Sequence, residues 1–214
     1  MKQTPATILR EYGPFPGVAQ IGGVTYDGAN VWIATGDALK AIDPESGQAV
    51  RTLDVPAHAG TAFDGRNLYQ IAGDRIQKVD PATGRVVASV PTPEGGASGM
   101  AWAEGTLWVG QHRARKIHQV DPETGAILRT IESNRFVTGV TWVDGELWHA
   151  TWENEESEVR RVDPATGTVL EALHMPAGVG VSGLESDGAD RFFCGGGNSG
   201  KVRVVRRPKR AAAR

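Results

Sequence analysis

Four copies of one five-residue phrase stand at regular intervals: DPESG at residues 43–47, DPATG at 80–84, DPETG at 121–125 and DPATG at 163–167. Their aspartates are 37, 41 and 42 residues apart. A proline that presets φ and a closing glycine are typical of a tight turn between strands. The 214-residue chain is therefore built from repeats of about 40 residues.

A second landmark, an acidic residue followed by glycine, supplies the positive φ that a hairpin turn needs. It is found at residues 27–28, 64–65, 104–105, 144–145 and 187–188. The fifth copy lies beyond the last Asp-Pro turn, so five units of about 40 residues account for nearly all of the chain. We therefore predict a single domain over residues 1–208 and no second domain.

Each unit holds four short apolar stretches, which in the fourth unit are residues 139–142, 147–150, 159–162 and 168–173. Four short strands in about 40 residues are typical of one blade of a β-propeller. No comparable segment has apolar residues at helical spacing. The sequence thus predicts an all-β fold, a five-bladed β-propeller of four-stranded blades.

The two ends of the chain predict how the ring closes. The fifth unit stops after its third strand, residues 201–205, and has no fourth strand. Near the N-terminus, residues 7–12 (TILREY) read like the fourth strand of the third unit, residues 126–131 (AILRTI). We therefore predict that residues 6–12 complete blade five, which would remove the open sheet edges at the closure.

The composition excludes several classes of protein. No run approaches the roughly 18 apolar residues of a membrane-spanning helix. The net charge is −2, and the last nine residues hold five basic groups and no acid, so the rest of the chain carries −7. An acidic body argues against nucleic-acid binding, which needs clustered cations. We expect residues 209–214 to form a solvated basic tail, the alternative being contact with RNA or an anionic surface.

The sequence contains few signals of a cellular location or of a cofactor. The single cysteine, Cys194, cannot form an internal disulfide, and the N-terminus lacks the apolar segment of a signal peptide. Both features favour the cytoplasm, where we expect a monomer that binds neither membrane nor nucleic acid. The sequence identifies no cofactor, and its five histidines show no metal-binding spacing.

Candidate site residues emerge once the repeated core positions are set aside. Five of the six tryptophans fill repeat positions and are interpreted as packing between blades: Trp32, Trp102, Trp108, Trp142 and Trp148. After the second-strand aromatic, the units carry Ile33, Gln70, Val109, His149 and Cys194. A small first-strand position holds Thr25, Ala62, Ala101, Thr141 and finally Glu185. A carboxylate on the strand nearest the axis needs a partner or water.

Glu185 and His149 are the candidate catalytic residues. They belong to neighbouring blades, and strand alternation allows them to face each other across the seam. One hypothesis is an axial pair that moves protons, with Glu185 as general acid/base and His149 as its partner. The alternative is a buried polar pair bridged by water. Cys194 beside them is expected to act as a small buried hydrophobe rather than a nucleophile.

The loops at one rim differ most between blades, as binding loops on a rigid scaffold do. We expect Trp152, with Arg135 and Phe136, to form a platform for a small ligand. Further binding candidates are His58, Gln70, His112, Arg113 and Cys194. Hydroxyls at Ser98, Thr138 and Ser182 stand immediately before first-strand glycines. The alternative for the charged loops is a rim of weak surface salt bridges.

Residues 144–152 (DGELWHATW), followed by VDPATG at 162–167, resemble a blade of the glutaminyl-peptide cyclotransferases of plants and bacteria. That resemblance implies a five-bladed propeller and cyclisation of N-terminal glutamine. The family carries a catalytic glutamate in a phrase like Leu-Tyr-Glu-Ser-Thr-Gly, whereas residues 31–36 read VWIATG, with Ile33 in the glutamate's place. The repeat phrases also resemble the seven-bladed streptogramin lyases.

Together these observations predict a propeller that binds a small polar molecule or a peptide terminus at its loop-rich rim. If the protein is an enzyme, the resemblance implies cyclotransferase-like or lyase-like chemistry. The competing interpretation is a non-catalytic scaffold that docks another protein through Trp152 and the blade-four acids.

Overall fold

The computed structural model describes residues 1–209, and within them the fold is all-β. The chain opens with β1 (Lys2–Pro5) and β2 (Ile8–Tyr12). Blade one contains β3 (Gly23–Tyr26), β4 (Val31–Ala34), β5 (Leu39–Ile42) and β6 (Ala49–Leu53). Blade two contains β7 (Thr61–Phe63), β8 (Leu68–Ala72), β9 (Arg75–Val79) and β10 (Val86–Pro91). Blade three contains β11 (Met100–Ala103), β12 (Thr106–Gln111), β13 (Lys116–Val120) and β14 (Ile127–Glu132).

The last two blades complete the ring. Blade four contains β15 (Val137–Val143), β16 (Glu146–Glu153), β17 (Glu156–Val162) and β18 (Val169–His174). Blade five contains β19 (Gly183–Ser186), β20 (Arg191–Gly195) and β21 (Val202–Arg206), and β2 is its fourth strand. The predicted five-bladed propeller is confirmed.

Of the predicted basic tail, residues 210–214 lie outside the described part of the chain.

The closure by the N-terminal strand is confirmed, with one addition. Strand β2 pairs antiparallel with β21, as predicted for residues 6–12. Strand β1 pairs parallel with β18 and gives blade four a fifth, outermost strand. The N-terminus therefore connects two neighbouring blades. Tyr12 extends the connection to blade one, because its hydroxyl donates to the carbonyl oxygen of Pro44 at 2.7 Å.

The Asp-Pro turns are structural, as predicted. In the turn at residues 80–84, the Asp80 carboxylate accepts the amide of Ala82 and the hydroxyl of Thr83, both at 2.8 Å. These bonds hold the pKa of Asp80 below its ordinary value. Gly84 closes the turn at φ +75° and donates to the Asp80 carbonyl. The local geometry thus follows from the five-residue phrase itself.

Aromatic side chains pack between successive blades, as the repeat positions predict. Ring pairs cross four of the seams: Tyr69 with Trp102, Trp108 with Trp142, Trp148 with Phe192, and Tyr26 with Phe193, with centroids 5.0–6.1 Å apart. Each of the five apolar clusters draws residues from two neighbouring blades. The core therefore lies in the seams, and each blade is stable only beside its neighbours.

Five glycines bring the innermost strands into contact around the axis: Gly23, Gly60, Gly99, Gly139 and Gly183. All five are buried, and a Cβ added to any of them would meet the backbone of the next blade. The last contact, from Gly183 to Gly23 and Val24, closes the circle. We call these residues the glycine ring. No helix within residues 1–209 is long and apolar enough to span a membrane.

Candidate functional site

Two residues after each glycine of the ring, every blade places one first-strand residue next to the axis. The five are Thr25, Ala62, Ala101, Thr141 and Glu185, and Glu185 alone of them has an ionisable side chain. Its carboxylate accepts the hydroxyl of Thr25 from blade one at 2.8 Å. It also accepts the hydroxyl of Thr141 from blade four and the amide of Ser186 at 2.8 Å. Glu185 is thus held by both neighbouring blades.

The environment of Glu185 favours its neutral form. Burial raises the pKa of the carboxyl to about 7, while the bonds from Thr141, Thr25 and Ser186 act in the opposite direction. A carboxyl that titrates near neutral pH has the acidity that a general acid/base requires. The other four residues of this level are either hydroxyl or methyl side chains, and they bring no competing charge.

The structure does not bring His149 to Glu185. Trp148 and Ala150, which flank His149 on β16, both pack in the cluster between blades four and five. Alternation therefore turns His149 to the opposite face, toward blade three. Its Nδ1 donates to the Ala150 carbonyl at 3.1 Å, and burial lowers its pKa to about 4. The expected axial pair is wrong because the two groups lie on opposite sides of blade four.

Two further candidates lie in well-packed surroundings. Cys194 is buried in the cluster that contains Trp148, and burial raises its thiol pKa to about 12. The thiol is therefore protonated and packs as a small apolar group. Gln70 is fully buried and donates from Nε2 to the carbonyls of Ala59, Gly60 and Ile71. Neither residue lines the cavity between the rims of blades four and five.

The expected platform of Trp152, Arg135 and Phe136 is divided between two sides of blade four. Phe136 lies against His112, with ring centroids 4.7 Å apart, and under the guanidinium of Arg115 at 4.8 Å. Arg135 pairs with Glu156 at 3.6 Å, and Arg115 pairs with Glu153. Burial and the charge of Arg113 lower the pKa of His112. These contacts match the salt-bridged rim that was the alternative interpretation.

His58 and Arg113 are exposed, and both belong to rim loops. The Nδ1 of His58 accepts the amide of Gly73 at 2.9 Å, which connects the loop entering blade two to the β8–β9 turn. No three His, Cys, Asp or Glu side chains within residues 1–209 lie close enough together to hold a metal ion.

A cavity of about 340 Å³ lies on the other side of Trp152, between the rims of blades four and five. We call it the rim cavity. Its walls include Thr138, Trp152, Val181, Ser182 and Arg203, and the glycine-rich loop at residues 196–199. The volume is at the lower end of the range of about 300–1,000 Å³ for small-molecule sites. Gly180 packs against the Trp152 ring and helps to fix it.

Thr138 differs from the two residues that fill the same position in other blades. Ser98 donates to the Val137 carbonyl of the next blade at 2.9 Å, and Ser182 donates to the Ile21 carbonyl at 2.5 Å. Thr138 is 8% exposed, and its hydroxyl has no hydrogen-bond partner among the described residues. A β-bulge between Val137 and Val140 places it beside the cavity.

Thr138 and Arg203 line the cavity but are not among the site residues that the sequence predicts. The first was noted only as one of three equivalent hydroxyls, and its missing partner depends on the bulge. The second could have been noticed as a charged residue between two buried valines, Val202 and Val204. Thr138 and Arg203 line the same cavity as Trp152, whereas Arg135 and Phe136 do not line it.

Comparisons with known proteins agree with this architecture. The crystal structure of glutaminyl cyclase from Myxococcus xanthus is similar over 96% of this chain and 97% of its own, with a TM-score of 0.78 and 20% identity. The WD40 β-propeller domain of Doa1 is similar over 87% of this chain and 63% of its own, with a TM-score of 0.57 and 16% identity. No protein-family model and no curated protein matches the sequence. The chain is a five-bladed β-propeller with a fold similar to that of glutaminyl cyclase.

Proposed function

We propose that this protein binds a small polar ligand in the rim cavity. The observation that carries the proposal is the unpartnered hydroxyl of Thr138, which is buried beside a cavity that Trp152 and Arg203 also line. A buried hydroxyl without a partner costs about 1–3 kcal/mol, and a ligand acceptor would provide the missing bond. Trp152 offers an aromatic wall for the rest of the molecule.

The size and position of the cavity support a small molecule or a peptide terminus rather than a folded protein. Loops from two blades form its walls, and the seam between the blades keeps those loops in place. As part of this proposal we place the protein in the cytoplasm as a monomer, with no nucleic-acid or membrane partner. The competing scaffold function would instead dock another protein through Trp152 and the blade-four acids.

Thr138→Val tests the binding function with two readouts. The valine has nearly the same shape but no hydroxyl, so we expect the ligand-free variant to gain about 1–3 kcal/mol of stability. A ligand at 100 times its Kd stabilises the wild type by about 2.7 kcal/mol, or roughly 5 to 11 °C in Tm. We expect that shift to be strongly reduced in the variant.

The measurement is a thermal-shift screen of metabolites, dipeptides and lactones, followed by titration of any hit. Ser98→Ala is the matched control, because Ser98 fills the same position in blade three but bonds to Val137. It should lower stability and leave the ligand-induced shift intact. Equal shifts in wild type and Thr138→Val would contradict the proposal. A panel without any hit would favour the scaffold, to be sought by partner capture with Trp152→Ala as the control.

A second candidate function is proton-transfer chemistry of the cyclotransferase or lyase kind. The observation that favours it is Glu185, whose pKa of about 7 suits a general acid/base. Ile33, in the place of the family's glutamate, is fully buried and has no proton to transfer. Any such chemistry in this chain is therefore assigned to Glu185, without His149.

Glu185→Gln tests this second function. Loss of a general acid/base typically lowers kcat by about 10²–10⁴, so we expect turnover of N-terminal glutamine dipeptides or lactones to fall by that factor. Binding in the rim cavity should be unchanged, because Glu185 is not one of its lining residues. Thr141→Ser, which keeps the hydroxyl donor to Glu185, is the matched control. Turnover that survives in Glu185→Gln would remove Glu185 from the chemistry.

A further inference from the structure

The rim cavity has an uneven distribution of charge. Among the described residues that line it there is no aspartate or glutamate, and Arg203 is the one charged side chain. The remaining walls are aromatic, apolar, hydroxyl or glycine backbone, together with the amide side chain of Asn198. A ligand with a positive charge would meet a guanidinium and no partner for its own charge. A ligand with a negative charge would meet a buried cation.

The contacts of Arg203 leave part of its guanidinium available. Its Nε donates to Glu11 Oε1 at 2.6 Å, and its side chain is 10% exposed. Within residues 1–209 its two Nη groups make no hydrogen bond. Lys201 also pairs with Glu11, at 3.0 Å, so these three side chains together carry one positive charge. An arginine with free Nη groups presents paired N–H donors at the spacing of carboxylate oxygens.

Gly196 allows this arrangement. A Cβ at residue 196 would lie 2.7 Å from Nη1 of Arg203 and would also overlap the hydroxyl oxygen of Ser199. The loop therefore passes directly over the guanidinium because residue 196 has no side chain. The cavity wall at this point consists of the loop backbone and the arginine head. The amides of Gly196 and Gly197 already donate to Lys201 and Ser182, so the guanidinium supplies the donors that remain available here.

We propose that the ligand of the rim cavity is a small monocarboxylic acid whose carboxylate pairs with Arg203 and whose apolar body lies against Trp152 and Val181. Thr138 is the hydroxyl donor that completes the site. This inference rests on the proposed binding function and adds the chemical class of the ligand. One net positive charge matches a carboxylate better than a doubly charged phosphate, which is usually held by several cations.

The test compares carboxylic acids with their own primary amides on the full-length protein. Phenylacetate, hippurate and indole-3-acetate are titrated calorimetrically beside phenylacetamide, hippuramide and indole-3-acetamide, with inorganic phosphate as a further arm. We expect at least one acid to bind, and to bind at least tenfold more tightly than its amide. The shapes are matched, so the difference measures the charge.

Two variants locate the interaction. Arg203→Gln should abolish the preference for the acid, while Lys201→Gln is the control, because Lys201 shares Glu11 with Arg203 but does not line the cavity. Folding of each variant is checked by its Tm. Equal loss of affinity in both variants would overturn the proposal in favour of general attraction between charges.

The remaining outcomes separate the two proposals. If amides or phosphate bind in the cavity and the acids do not, the carboxylate assignment is wrong and the binding function stands. If no member of the wider thermal-shift panel binds either, both are wrong. The acid and amide comparison uses the wild-type chain, so it decides the question even if Arg203→Gln fails to fold.

Discussion

Replacing Gly60 by alanine is expected to lower the free energy of unfolding by about 3 kcal/mol or more. The added Cβ would stand 2.6 Å from the amide nitrogen of Met100 and 2.7 Å from the carbonyl carbon of Gly99. Both atoms belong to the backbone of blade three, which is fixed by its own sheet and cannot rotate away. The strand must shift, and the shift would be passed to every blade around the glycine ring.

Gly65→Ala is the control in the same blade. Gly65 stands at φ +92° with no atom within 4 Å of an added Cβ, so alanine meets strain there but no collision. That strain is worth about 1–2 kcal/mol. Chemical denaturation of both variants measures the difference, and the expected loss at Gly60 corresponds to about 6–12 °C in Tm. Equal losses would show that the inner strands have room to separate and that the glycine ring does not limit their distance.

The fold could be predicted from the sequence because its signals are local and repeated. Each Asp-Pro turn is closed by atoms within five residues, as in the bonds that Asp80 accepts, so the phrase predicts the turn without knowledge of the rest. The exception is β1. Its residues, Lys2–Pro5, have no apolar alternation, and their parallel pairing with β18 uses main-chain groups that any sequence has.

The candidate site could be predicted only in part, because its geometry depends on which face of a blade meets which neighbour. Alternation correctly separated the two sides of β16, but the sequence does not tell which side faces blade five. The sequence therefore allows His149 to face Glu185 and Trp152 to lie with Phe136, whereas in the structure Trp152 and Thr138 line one cavity. The position of Glu185 at the axis followed from the repeat alignment and is confirmed by its bonds to Thr25 and Thr141.

Glu185 and His149 make opposite contributions to the pH dependence of stability. The pKa of Glu185 is about 7 in the folded protein against an ordinary value of 4.5, so the folded state keeps a proton that the unfolded chain releases. Its stabilising contribution is full below pH 4.5 and is lost as the pH rises to about 7. Because part of the residue remains accessible, the change is about 2–3 kcal/mol.

His149 acts in the reverse direction. Its pKa is about 4 in the folded protein against an ordinary value of 6.5, so between these values the unfolded chain binds a proton that the folded protein does not. Its contribution is full above pH 6.5 and is lost as the pH falls to about 4, a change of about 3 kcal/mol. In the wild type the two trends largely offset each other between pH 4.5 and 6.5.

Single substitutions should therefore reveal slopes that the wild type conceals. In Glu185→Gln the free energy of unfolding is expected to rise by about 3 kcal/mol from pH 4 to 6.5, because the contribution of His149 is no longer offset by that of Glu185. In His149→Gln it should fall by about 2–3 kcal/mol from pH 4.5 to 7, and the double variant should lack both slopes. Urea denaturation across this range measures all four proteins. A Glu185→Gln profile parallel to that of the wild type would mean that Glu185 is ionised throughout, and the proton-transfer function would then lose the observation that favours it.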